Sequence, residues 1–274
     1  MSTPVVRSLH IHPVKAMRGF APAEADVQPW GLAGDRRWTA VDASGRVVTQ
    51  RRHPRMASAS ATLLPDGALR VSARGLEPLT IEVPRPSSTI RVEVFETPVE
   101  AVPAGPEADA WFSAYLETEV RLVHMDEPAR RRPVDPEYAL PGETVSFADG
   151  FPLLITTTSS LDALNALIAR GDHADEGPLP MNRFRPNLVV DGTPAWAEDG
   201  WTRLAVGEVS FRVARSCGRC VVTTTDQETT TRGKEPLRTL ARHRKDGSRL
   251  IFGQNLVPEH LGTVRVGDEV KILD

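Results

Sequence analysis

A chain of 274 residues with 40% hydrophobic residues, 25% charged residues and a net charge of −3 has the balance of an ordinary globular protein, large enough for one large domain or two modest ones. The near-neutral charge, with no basic stripe, argues against nucleic acid as the main partner, and no stretch approaches the roughly 20 apolar residues of a membrane-spanning helix. No basic N-terminal region leads into an apolar segment, and two cysteines in so long a chain build no disulfide framework, so a cytoplasmic, reducing location is expected.

The first predicted element is the strand-like alternation Leu9-His10-Ile11-His12, ending at Pro13 and running on to Val14 and Lys15. Arginine outnumbers lysine 29 to 4, and Lys15 is the only lysine before Lys234. Where arginine holds nearly every cationic position, a retained lysine points to a site that wants a compact ammonium rather than a planar fork. The competing reading is a surface lysine at a strand end. Gly31 and Gly34 then mark a turn carrying Asp35, Arg36 and Arg37 ahead of a strand over 38–42. A Ser44-Gly45 turn and a second strand over 47–50 complete an expected hairpin. An arginine just before a strand can take a phosphate or carboxylate bidentately, or pair with Asp35 on the surface.

Short segments over 63–72, 79–83 and 90–94 continue the β pattern at the turn spacing of a sandwich or barrel. Trp111, Phe112, Tyr115 and Leu116 recur at helical spacing and predict a helix over 108–116. The stretch 126–142 is rich in Pro and Arg and has no periodicity, so the junction between two units, 1–125 and 126–274, is placed there. Its basic run over 129–133 reads as a solvated loop.

Beyond the junction, a buried strand over 151–156 leads into Thr157, Thr158, Ser159 and Ser160, after which Leu161, Leu164, Leu167 and Ile168 repeat on one helical face. The hydroxyl cluster predicts a helix N-cap, and such a strand-to-helix junction is also an anion-binding position. Arg183 and Arg185, followed by Asn187, stand at the entrance of a strand over 188–190. Strands over 204–207 and 210–213 then deliver Cys217 and Cys220, the only cysteines of the chain.

This CxxC pair has several readings. A thioredoxin-like redox pair needs a helix N-terminus, but the β-branched run over 221–225 reads as a strand. Structural zinc needs four ligands, and no second Cys pair or closely spaced His pair follows. Two small buried residues in a strand is the third reading. Asp226 either starts the turn over 227–230 or relays protons beside the thiols.

Taken together, His12-Pro13-Val14-Lys15, residues 31–38, Thr49-Gln50-Arg51, Phe184-Arg185-Pro186-Asn187, Glu198-Asp199-Gly200-Trp201, Arg219-Cys220, Phe252-Gly253-Gln254-Asn255 and residues 262–270 resemble the MOSC superfamily over nearly the whole chain. Within it they are similar to the amidoxime-reducing components and the bacterial reductases that detoxify hydroxylaminopurines. The resemblance implies a mostly β fold with a few helices (α+β), a MOSC-type β-barrel joined to an N-terminal β-rich MOSC module. It implies a molybdenum–molybdopterin cofactor and reduction of N-hydroxylated compounds, namely amidoximes, hydroxylamines and N-hydroxylated bases. On this sequence it implies Cys220 as the molybdenum ligand, with Lys15, Arg36, Thr157, Ser160, Arg185 and Asn187 as cofactor-binding residues; Asp226, six residues past that thiolate, is the candidate proton source, its turn reading staying open beside it.

The expected partners are a small N-hydroxylated substrate and a separate electron donor, a ferredoxin, flavin reductase or cytochrome-like protein, since two cysteines cannot ligate an iron–sulfur cluster. No nucleic acid or membrane partner is expected. The alternative implied by the same resemblance is a sulfur or molybdenum cofactor carrier in which Cys220 bears a persulfide or docks the cofactor. A redox-inactive scaffold is the third reading. The chain departs from the family pattern at Ala16, which replaces a serine, at Gly218, which replaces a polar residue, and at Gln227 and Thr230, which replace the proline and glycine of a turn.

Overall fold

The computed structural model describes residues 3–85, 88–128 and 132–273. Its largest sheet runs in the order Val5–Leu9, Leu188–Asp191, Leu153–Thr157, Arg249–Pro258, Val209–Gly218, Arg203–Val206, Val270–Ile272. Val6 N donates to Asp268 O at 2.9 Å and Val270 N to Pro4 O at 2.8 Å, so the last strand meets the first and the sheet is a nearly closed barrel. Alternate residues point inward along each strand. Leu9, Ile155, Leu188, Val190, Leu204, Phe211 and Leu256 accordingly fill one continuous core.

A four-stranded sheet (Trp38–Asp42, Val120–His124, Thr97–Pro103, Ile90–Val94) and a three-stranded one (Ser60–Leu63, Leu69–Ala73, Leu76–Ile81) make up the N-terminal half. The helix Pro106–Leu116 covers them with Ala108, Phe112, Tyr115 and Leu116, which pack against Met56, Leu69, Val71 and Leu122. Three strands near the N-terminus do not stay in that half. Val5–Leu9 pairs with Leu188–Asp191, and Glu24–Gln28 lies between Gly31–Leu32 and Gly262–Arg265. Barrel closure therefore crosses the junction expected at 125/126.

The fold is mostly strand with three helices among the described residues, as the sequence predicts. The helix Thr158–Ile168 begins where the hydroxyl cluster places it, with the Thr157 side chain accepting from Ser160 N at 3.2 Å. Among the described residues no helix is long and apolar enough to cross a membrane.

Three local expectations need correction. The second hairpin arm over 47–50 is reduced to a bridge between Val47 and Val41 and a bond from Val48 N to Ala40 O. At Thr49 the chain turns, with Thr49 O accepting from Arg52 N and His53 N, so Gln50 and Arg51 sit on a bend instead of a strand. The run over 221–225 is not a strand but the 3-10 turn Val221–Thr224. Pairing of Val209–Gly218 with Arg249–Pro258 stops at Gly218, and the Thr223 and Thr224 hydroxyls donate back to Cys220 O (2.9 Å) and Val221 O (2.8 Å). Local hydroxyl bonds of this kind offer the backbone an alternative to a ladder that has no partner left. Finally, Arg132 is buried rather than solvated, whereas residues 129–131 of the same basic run lie outside the described residues.

Candidate active site

Two β-bulges, between Val213 and Arg215 and between Ser216 and Gly218, shape the end of the strand Val209–Gly218. On a regular strand, residues three apart point to opposite faces. Here the second bulge, the strand end at Gly218 and the turn opened by Cys220 together bring both Cys217 and Cys220 to one cleft. The cleft encloses about 910 Å³ including its open mouth. Arg51 Nη2 approaches Cys220 Sγ at 3.7 Å, and Arg219 Nη1 donates to Cys217 Sγ at 2.9 Å. The second Arg219 nitrogen is held by Phe184 O at 2.6 Å.

Five cations line the cleft: Lys15, Arg36, Arg51, Arg185 and Arg219. Lys15 is only 6% exposed, against the surface reading of a strand-end lysine. Its Nζ donates to Phe147 O at 2.7 Å and pairs with Asp149. Burial lowers its pKa to about 8, although Asp149 pulls the other way. Arg36 pairs with buried Asp35 and donates to Asn187 Oδ1 (3.0 Å) and Arg185 O (3.1 Å). Asn187 also accepts from Leu154 N (3.2 Å) and donates to His10 O (3.1 Å), so it ties Arg36 to the strand Leu153–Thr157 and to the residue that follows Val5–Leu9. Arg185 follows the 3-10 turn Met181–Phe184 and donates to Met17 O at 2.6 Å; burial, then the neighbouring Arg36, lowers its pKa to about 9.

Ala16, Arg36 and Arg185 all line this cleft and all have left-handed backbones, with φ of 69°, 47° and 54°. A non-glycine residue adopts that region at a steric cost, and such residues cluster at functional sites. Here all three left-handed positions fall on the segments that line the cleft.

Asp149, Arg51, Arg132 and Arg219 have no role assigned from the sequence. Asp149 is the only acid on the cleft wall among the described residues, and it is 69% exposed toward the mouth. Desolvation opposes its ionisation, but Lys15, Arg51 and Arg36 outweigh that and hold its carboxyl well below the usual range. Arg132 donates to Ser146 O at 3.1 Å and to the carbonyls of Ala148 and Asp149, so its buried guanidinium fixes the loop that presents Asp149. Thr49-Gln50-Arg51 was a legible block, whereas the loop around Asp149 carried no periodic signal.

Lys15, Arg36, Arg185, Asn187 and Cys220 are thus brought together, but Thr157, Ser160 and Asp226 are not among the lining residues. Thr157 and Ser160 are turned instead toward Glu198, whose Oε2 accepts from the Ser160 hydroxyl at 2.9 Å and the Thr157 hydroxyl at 3.3 Å. Asp226 is taken up by its own turn. Its Oδ1 accepts from Glu228 N, Thr229 N and the Thr229 hydroxyl, and its Oδ2 from Arg183 at 3.1 Å. Those backbone bonds, against a smaller burial effect, lower its pKa. Gln227, where the family pattern has proline, donates to Asn182 O at 2.6 Å and so anchors the same turn to the Arg183 segment.

Glu198 is buried, its Oε1 has no hydrogen-bond partner, and burial raises its pKa despite the two hydroxyls. A carboxyl whose folded pKa exceeds the unfolded value of 4.5 adds stability below that value and loses it as pH rises through the raised one. Glu198→Gln keeps the acceptor without the titration. Between pH 5 and pH 8 the wild type is expected to lose stability relative to this variant, read from denaturant midpoints at the two pH values.

Residues 3–119 match the MOSC N-terminal beta barrel domain and residues 142–271 match the MOSC domain. The mitochondrial amidoxime-reducing component 1 of Homo sapiens is 32% identical over 286 residues, covering 98% of this chain and 82% of that protein. The mitochondrial amidoxime reducing component 2 of Rattus norvegicus is 32% identical over 285 residues, covering 97% and 82%. Among solved structures, the YUAD protein from Bacillus subtilis aligns over 98% of this chain and 94% of that one, with 11% identity and a TM-score of 0.42.

Proposed function

From the premise that this chain belongs to the MOSC family that includes the amidoxime-reducing components, we propose that it is a molybdenum-cofactor-dependent reductase of N-hydroxylated compounds. The observation that carries this reading is the meeting, in one cleft, of two thiols and five cations with the one carboxylate that lines it among the described residues.

The residues present fit an anionic pterin phosphate carrying a soft metal. Lys15 and Arg185 have lowered pKa values because burial and neighbouring cations work against their charges, so an anion seated among them relieves a repulsion already built in. Arg36 and Arg185 offer planar forks suited to phosphate oxygens and Lys15 a compact ammonium. Asn187 holds Arg36 in place. Cys220 Sγ is the soft donor suited to molybdenum. When bound, the cofactor supplies the two-electron chemistry that breaks the N–O bond.

The overall reaction takes two electrons and two protons, converts the N-hydroxyl to N–H and releases water. Electrons come from a separate ferredoxin, flavin reductase or cytochrome-like donor. Lys15 stands at the cleft as a proton-bearing group, with Asp149 beside it as an ionised carboxylate that can accept a proton. Asp226 is assigned the turn, the structural one of its two sequence readings. The proposed location is the cytoplasm, a reducing compartment in which both thiols stay free.

The test is reduction of benzamidoxime to benzamidine by protein from a cofactor-competent host, with a chemical electron donor. Steady turnover is expected. No turnover with benzamidoxime or hydroxylamines, in protein shown to hold the cofactor, would sink the reading.

A further inference from the structure

A second cavity adjoins the cleft and shares Lys15, Thr49 and Arg51 with it. It encloses about 730 Å³ including its mouth, and one wall is the hairpin that joins Ile90–Val94 to Thr97–Pro103. Phe95 and Glu96 form the two-residue turn, with φ of 48° and 66°. A two-residue hairpin of this type I′ form requires two left-handed residues, and Asn-Gly supplies them with little steric conflict. A phenylalanine at the first position is an outlier.

Core packing does not account for it. Phe95 is 47% exposed and belongs to none of the hydrophobic clusters among the described residues. Its ring centroid instead lies 5.1 Å from Lys15 Nζ and 5.3 Å from the Arg51 guanidinium carbon. Arg51 reaches the other way to Cys220 Sγ. One guanidinium therefore separates an exposed phenyl ring from the thiol proposed to hold the metal. Val47, half-buried, lines the cavity beside the ring, and the exposed Arg46 and half-buried Glu93 line it as well.

We propose that Phe95 is a specificity-determining residue for the reductase activity proposed above. It packs against the aryl group of planar aromatic N-hydroxylated substrates, whose N–OH end passes Arg51 toward Cys220. Backbone strain held at an exposed position is the mark of a side chain kept for what it touches. Small aliphatic N-hydroxyl compounds gain nothing from the ring, so the selectivity is for aryl over alkyl substrates.

The experiment compares benzamidoxime with acetamidoxime on holoenzyme carrying Phe95→Ala, Phe95→Leu or Phe95→Tyr. Phe95→Ala is expected to raise the benzamidoxime KM about tenfold, the loss of one aromatic contact with its buried area. Its kcat and the acetamidoxime KM stay unchanged. Phe95→Tyr retains the selectivity and Phe95→Leu loses most of it. Because the residue is exposed and strained, none of the variants is expected to lower the melting temperature.

Equal KM shifts for both substrates would show that the ring only shields Lys15 and Arg51, and would overturn the proposal, as would no shift at all. Saturation-transfer NMR on the same holoenzyme reads benzamidoxime binding without turnover. If the wild type reduces neither compound, the reductase reading falls. In that case ring-dependent binding still supports the aryl site, and binding indifferent to Phe95 overturns it.

Discussion

Cys220→Ala is expected to leave a folded protein without molybdenum and with benzamidoxime reduction at background, whereas Cys217→Ala keeps the metal and most of the rate. Only the sulfur of Cys220 is put at stake by this substitution. The turn it opens is held by its backbone carbonyl, which accepts from Thr223 N at 3.0 Å and from the Thr223 hydroxyl at 2.9 Å. The fold therefore survives alanine, and a loss of metal reports the ligand itself. Groups that merely support metal ligands cost about 10–100-fold in affinity or activity when removed, so loss of the ligand is expected to exceed that range and Cys217→Ala to fall within or below it. Arg219, deprived of Cys217, keeps its bond to Phe184 O. Metal content and benzamidoxime turnover for the two variants check both halves of the expectation. Loss of metal in the Cys217 variant with retention in the Cys220 variant would reverse the assignment.

The second large effect is expected at Arg36. Its partner Asp35 is buried, and apart from Arg36 the carboxylate accepts from His12 N at 2.7 Å. Arg36→Met leaves that buried carboxylate without its direct partner, with Arg185 as the remaining nearby cation, a loss of up to about 3 kcal/mol in unfolding free energy. It also frees the Asn187 side chain from one of its bonds and removes a fork from the cleft. A second substitution separates the two consequences. Asp35→Asn in the Arg36→Met background removes the orphaned charge, keeps an acceptor for His12 N, and is expected to recover more than half of the lost stability. It does not restore a cation for the phosphate, so cofactor retention stays low. Denaturant unfolding and pterin content, measured on both variants, give the two readings independently. If Asp35→Asn rescued cofactor retention together with stability, Arg36 would be a purely structural residue.

Much of this site is legible as residue chemistry without any coordinates, and the parts that are not have identifiable reasons. Lys15 stands out because arginine has displaced lysine almost everywhere else, and it is indeed buried at the cleft. Arg36 and Arg185 stand out because each precedes a strand, although nothing in the sequence shows their left-handed backbones. The hydroxyl cluster at Thr157 and Ser160 reads correctly as a helix cap, yet its anion-binding reading does not carry over, because a buried Glu198 takes those hydroxyls. The β-branched run after Cys220 misleads because strand propensity expresses itself only where a neighbouring strand is available. Arg51, Arg132 and Asp149 belong to bends and loops whose placement depends on contacts distant in the chain. The same holds for the pairing of Val5–Leu9 with Leu188–Asp191 and of Glu24–Gln28 with Gly262–Arg265, partners more than 150 residues away, a separation on which local patterning has no bearing.

The most direct test of the central claim is the molybdenum and pterin content of the purified chain, produced in a host that makes the cofactor. Stoichiometric molybdenum with molybdopterin, both lost in Cys220→Ala, is the predicted result. Protein free of molybdenum but bearing a cyanolysable sulfur on Cys220 would contradict it, and would make the chain a sulfur carrier instead of a reductase.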